Sequence, residues 1–124
     1  TDVPRPTEDA IAYATGVAAE LLEAALIVCL TKSGFTARKI AAHRPVTPIV
    51  GLSTETATCR SLALVWGVRP VLAGHAPSYE EMVRRARERL LDGGVVRPGD
   101  RIVVTAGVPF DVPGMTNLLQ VETM

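Results

Sequence analysis

A chain of 124 residues, 48% hydrophobic and 21% charged, is long enough to bury a sizeable core and too apolar to stay disordered. Thirteen Lys and Arg balance thirteen Asp and Glu, which argues against a general binder of nucleic acid or of membrane surfaces. No apolar run approaches the ~18–20 residues that span a bilayer. The two cysteines, Cys29 and Cys59, lack metal-site spacing, so buried free thiols in a reducing, cytoplasmic setting are expected.

The chain opens on Thr1-Asp2-Val3-Pro4-Arg5-Pro6, with neither an initiator Met nor a charged-then-apolar leader. Residues 1–6 read as a linker remnant of a longer polypeptide, and 7–124 as one α/β domain. Thr7 is placed to cap a first helix with Glu8 and Asp9 in its first turn. Ile11, Ala14, Ala18, Leu21 and Leu22 recur at helical spacing, carrying that helix to about Glu23. The apolar run 24–30 has the pattern of a strand buried on both faces. It ends in Thr31-Lys32-Ser33-Gly34, and a second helix then runs to about His43, stopped by Arg44-Pro45.

Residues 48–52 form a second strand. Ser53 or Thr54 caps a third helix to about Val65, ended by Trp66-Gly67. Residues 68–73 are a third strand, confined to a sheet edge by Pro70. Ser78 and Glu81 make a capping box for a fourth helix, with Tyr79, Met82, Val83, Ala86 and Leu90 inward. Glu80–Arg84 and Glu81–Arg85 pair on its outside, and Asp92-Gly93-Gly94 ends it. A turn at 97–100 leads into a fourth strand at 101–106. A Gly/Pro-rich loop at 107–115 precedes a last strand, 117–121, too close for a helical crossover and therefore antiparallel.

This alternation predicts a three-layer α/β fold with helices on both faces of a mostly parallel five-stranded sheet, order 3-2-1-4-5, strand 5 antiparallel. Strands 1 and 4 then meet at the topological switch point, where open α/β sheets bind ligands. The turn after strand 1 offers backbone N–H groups at a helix start, hydroxyls from Thr31, Ser33 and Thr36, and the Lys32 ammonium, a set suited to an anion. The plainer reading is a strand–helix connection whose hydroxyls cap the helix. Arg84, Arg85, Arg87 and Arg89 read as a solvated face neutralised by Glu80, Glu81 and Glu88. His43 and His75 read as turn or surface residues, and Trp66 as core or interface. The sequence offers no nucleophile–base pair and no acidic metal cluster, so no catalytic and no metal-ligating residue is assigned.

Four blocks in order closely resemble the C-terminal domain of pyruvate kinases of bacterial type, in register from about residue 7 to residue 121. They are Thr31-Lys32-Ser33-Gly34-Phe35-Thr36-Ala37-Arg38, His43-Arg44-Pro45 with Pro48-Ile49, Leu62-Ala63-Leu64-Val65-Trp66-Gly67-Val68, and the tail from Gly99-Asp100 through Val103-Val104-Thr105-Ala106-Gly107-Val108-Pro109 to Gly114-Met115-Thr116-Asn117. The resemblance implies a regulatory domain of a cytoplasmic glycolytic enzyme that transfers phosphate from phosphoenolpyruvate to ADP. In that family the catalytic groups, with Mg2+ and K+, belong to a (β/α)8 barrel earlier in the polypeptide, so no cofactor is expected in this chain. The resemblance further implies a phosphorylated small-molecule effector held by Thr31, Lys32, Ser33, Gly34, Phe35 and Thr36. Gly107, Val108, Pro109 and Gly114 match a loop that covers it, and the domain contacts its barrel and other subunits of a homotetramer.

Phe35 stands where effector-sensitive members often carry a basic residue. The covering loop lacks the Trp-Arg pair of members controlled by fructose 1,6-bisphosphate and carries Asp111, which argues against a bisphosphate. Arg84 and Arg85 would supply a second anion contact only if the fourth helix leaned over the crevice. Two rival readings are a purely structural oligomerisation block that binds nothing, and an enzyme in its own right using the switch-point crevice.

Overall fold

The computed structural model describes residues 7–106 and 118–124. The elements run α1 (Thr7–Leu21), β1 (Leu26–Leu30), α2 (Phe35–Ala42), β2 (Ile49–Ser53), α3 (Thr56–Leu62), β3 (Val68–Leu72), α4 (Tyr79–Asp92), β4 (Arg101–Ala106) and β5 (Leu118–Thr123). The sheet order is β3-β2-β1-β4-β5. β1 pairs in parallel with β2 and β4, β2 in parallel with β3, and β4 antiparallel with β5. The expected architecture is therefore present, with β1 innermost and β3 and β5 as edges.

All five β1 residues are buried, because alternate side chains feed two cores. Ile27 and Cys29 face Ala12 and Ala19 of α1, Ala37 and Ile40 of α2, and Leu62 of α3. Leu26, Val28 and Leu30 face Met82, Val83, Ala86 and Leu90 of α4. Crossovers through α2 and α3 carry the chain one way along the sheet, and the crossover through α4 carries it back. Right-handed connections thus put α4 alone on the second face.

Several local expectations are corrected. The buried face of α1 is Ala12, Thr15 and Ala19, whereas Ala14 is exposed and Leu21 is 78% exposed; Ile11, Ala18 and Leu22 are half-buried. Small residues let α1 settle close to α2 and the sheet, and the large ones are turned outward. Thr15 is tolerated inside because its hydroxyl donates to the Ile11 carbonyl at 2.7 Å. Neither Ser53 nor Thr54 caps α3. Its N-cap is Glu55, without a side-chain bond, while Ser53 closes β2 and its Oγ accepts from the Glu55 amide at 3.1 Å. The helix stops at Leu62 rather than Val65.

At α4 only the Ser78 half of the capping box forms, Ser78 Oγ accepting from the Glu81 amide at 3.2 Å. The Glu81 carboxylate goes to Arg84 and Arg85, so Arg84 pairs with Glu81 and Glu88 rather than with Glu80. Trp66 is not core: it is 72% exposed, with the Arg44 guanidinium 4.9 Å from its ring centroid. Cys29 is buried and free, and Cys59 is free but only half-buried. Pro70 lies in edge strand β3, as its missing donor requires.

Candidate functional site

β1 delivers the 31–36 turn to the carboxyl end of the sheet. The Thr31 amide still donates to Leu52 of β2 at 3.0 Å, so the turn leaves the sheet directly above the β1–β2 pair. Gly34 is the N-cap of α2, at φ +88° and without a side-chain cap bond. The turn's hydroxyls close it locally: Thr31 Oγ1 accepts from the Gly34 amide at 2.8 Å, and Ser33 Oγ from the Phe35 amide at 3.3 Å. Each hydroxyl so engaged keeps its own proton to donate. The carbonyls are held as well. Lys32 accepts from Thr58 Oγ1 at 2.6 Å, and Ser33 from Arg38 Nη1 at 3.2 Å. Thr36 is buried, whereas Lys32 and Ser33 are exposed. Phe35 lies beneath the Lys39 ammonium, 5.4 Å from its ring centroid, and Lys39 also pairs with Asp9 of α1.

A cleft of about 490 Å³ opens beside this turn, at the carboxyl ends of β1 and β2 and the amino end of α4. Thr31 and Lys32 form one wall, Ser53, Thr54 and Glu55 the next, and His75 with Tyr79 the far side. The structure thus brings Thr31 and Lys32 to the cleft. Ser33 and Phe35 instead border a shallower surface hollow with Arg38 and Lys39. Ser53, Thr54, His75 and Tyr79 are cleft residues that sequence reading missed. The available signal was the repetition of hydroxyl residues after β1 and again after β2. Gly107, Val108, Pro109 and Gly114, with the rest of the covering loop, lie outside the described residues.

Electrostatics separate the turn from α4. Arg84 is committed to Glu81 and Glu88, and Arg85 to Glu81 and the His75 carbonyl, so neither guanidinium is presented to the cleft as a spare cation. Hydrogen bonding to Arg84 and then to Arg85 pulls the Glu81 carboxyl down to about 2. Burial, with Glu122 and Glu80 nearby, pushes the Tyr79 hydroxyl up to about 12, leaving it a neutral donor. Burial also raises the Cys29 thiol, which makes it a packing group rather than a nucleophile. Among the described residues no group of three or more His, Cys, Asp or Glu converges to hold a metal ion.

Residues 9–122 match the family model described as the pyruvate kinase alpha/beta domain. The chain belongs to that family. It is 37% identical over 118 residues to a pyruvate kinase of Clostridium acetobutylicum, covering 95% of this chain and 25% of that protein. Against a pyruvate kinase of Geobacillus stearothermophilus it is 40% identical over 116 residues, covering 94% of this chain and 20% of the relative. The chain therefore spans a fifth to a quarter of these bacterial pyruvate kinases. A crystal structure of a pyruvate kinase from Cryptosporidium parvum shares the fold at a TM-score of 0.86, with 24% identity over 97% of this chain and 23% of that one. Among the described residues no helix is long and apolar enough to cross a membrane.

Proposed function

We propose that this pyruvate kinase alpha/beta domain is the effector-binding and subunit-assembly part of a larger enzyme. Phosphoryl transfer from phosphoenolpyruvate to ADP, with its metal ions, then belongs to the barrel of the same polypeptide. The observation that carries the effector reading is the Thr31–Lys32 corner, facing Ser53 and Thr54 across a cleft at the strand ends, with Ser33 beside it on the adjoining surface. Hydroxyls that accept the turn's own amides keep a proton to donate, and the exposed Lys32 adds a positive charge, which together suit one phosphate group. Glu55 and Glu80 on the cleft walls disfavour a second phosphate, so a monophosphorylated sugar or nucleoside is the expected class. Calorimetric titration of the chain with sugar monophosphates and nucleoside monophosphates tests this. Saturable binding that disappears in a Thr31→Ala/Ser33→Ala variant supports it, and no heat from any of them in a folded sample refutes it.

One observation favours a second reading, a purely structural assembly block. The Gly34 and Phe35 amides, which a bound anion would use, are already satisfied by Thr31 and Ser33. For assembly itself the supporting features are an outward apolar stripe on α1 and the open edge of β5. Tyr13, Val17 and Leu21 follow each other at four-residue spacing on α1, and Val121 is exposed on β5. The proposed partner on this side is a second copy of the chain.

A further inference from the structure

Tyr79 and Glu80 stand between two hollows: the cleft at the strand ends, and a groove between α4 and β5 lined also by Val83, Arg87, Leu91 and Gln120. From this position the Tyr79 hydroxyl reaches across to β5 and donates to Gln120 Oε1 at 2.9 Å. The direction of that bond is fixed by the next one. Gln120 Nε2 donates to Glu122 Oε1 at 2.9 Å, and a carboxylate only accepts, so the amide oxygen of Gln120 must face the tyrosine proton. Gln120 and Glu122 lie on the α4 face of β5, since Gln120 is opposite Val104 and Val104 belongs to the core beneath α4.

The same first turn of α4 is tied backward to the cleft. Arg85 holds the His75 carbonyl with one nitrogen and Glu81 with another, and Ser78 caps the helix. Among the described residues β5 has no ladder partner but β4 in the sheet. On its α4 side β5 is tied by Tyr79 and by Arg87 on the Thr123 carbonyl at 3.2 Å. Leu119 packs on the opposite core, and the Gly99 amide donates to the Met124 carbonyl that follows the strand.

We propose that Tyr79 is a strut that joins the lip of the cleft to the edge strand, so that the first turn of α4 and β5 open together and not independently. A group pressing on the Tyr79 ring from the cleft therefore acts on β5. The proposal needs no effector and stands whether or not the cleft binds one.

Native-state hydrogen exchange on the full chain tests it with two variants that delete the contact from opposite ends, Tyr79→Phe and Gln120→Met. Loss of one such bond raises local opening by about three- to tenfold. In each variant both the β5 amides and the Glu81 and Met82 amides speed up by that factor, while β1 and β2 keep their rates. The double variant exchanges no faster than Gln120→Met alone, because that deletion already removes the contact Tyr79→Phe removes. Acceleration confined to the substituted element, additive effects, or no change overturns the strut. So does a rise of equal size in β1, which reports loss of the whole fold.

Discussion

Gly34 is held at φ +88°, and a Cβ there would lie 2.8 Å from Arg38 Nη1 and 3.2 Å from Leu62 Cδ2. Both the backbone and the packing thus exclude a side chain, and Gly34→Ala is expected to cost ~1–3 kcal/mol, read as a lower denaturant midpoint. Gly51 is constrained by contact alone, since an added Cβ would meet Leu62 Cδ1 at 2.8 Å. Gly51→Ala should therefore lose less stability in a Leu62→Val background than in the natural chain, a non-additivity a two-variant cycle measures. The thiols differ by burial: in the folded chain a disulfide reagent should modify Cys59 slowly and Cys29 only after unfolding. At this scale the turn itself was legible, because Thr, Ser and Gly in 31–36 suit a tight strand–helix corner, which Thr31 and Ser33 close with their own hydroxyls. The opposite wall was not. Ser53 and Thr54 reach the cleft through the Leu30–Leu52 register, and His75 through the return from β3, neither of which any local spacing encodes.

Among the elements, α1 shows how a helical pattern can be right in period and wrong in phase. Its apolar residues surround much of the helix, and choosing the bulkier ones as the inner face assumes that volume decides burial. Close approach decided instead, and Ala12 and Ala19 won the contact with the sheet. Ala19→Leu is accordingly expected to overpack and cost ~1–3 kcal/mol. In α4 the inner face and the cap were legible from strong signals, Ser78 and the Met82–Val83–Ala86–Leu90 spacing. Ser78→Ala should cost ~1 kcal/mol. The Glu81 carboxyl is depressed in the folded chain, so its contribution is complete above the ordinary carboxylate range and fades as pH falls toward about 2. Glu81→Gln should flatten that part of the stability profile, measured by denaturation between pH 5 and 2 (roughly the span this linkage predicts).

For the molecule as a whole, strand order followed from Pro70 at an edge, from the short last connection, and from handedness. These are rules about the entire chain that a sequence obeys visibly. Surfaces are less visible, because burial against the same chain and burial against another copy look alike in a pattern of apolar residues. Tyr13, Val17 and Leu21 show this ambiguity, being apolar, periodic and turned outward. If they meet a second copy, Leu21→Glu shifts sedimentation toward monomer while the thermal midpoint at low concentration stays within a degree or two (about what a surface change allows). Unchanged sedimentation across concentrations removes the stripe from assembly.

The two borders of the sheet are unlike. β3 presents Pro70, which has no amide proton, and the exposed Arg69, both of which discourage a neighbouring strand. β5 presents an ordinary backbone along six residues. Lateral growth is thus blunted at one end; if a second copy pairs along β5, addition at that one border closes into a two-fold pair and does not propagate into a fibre.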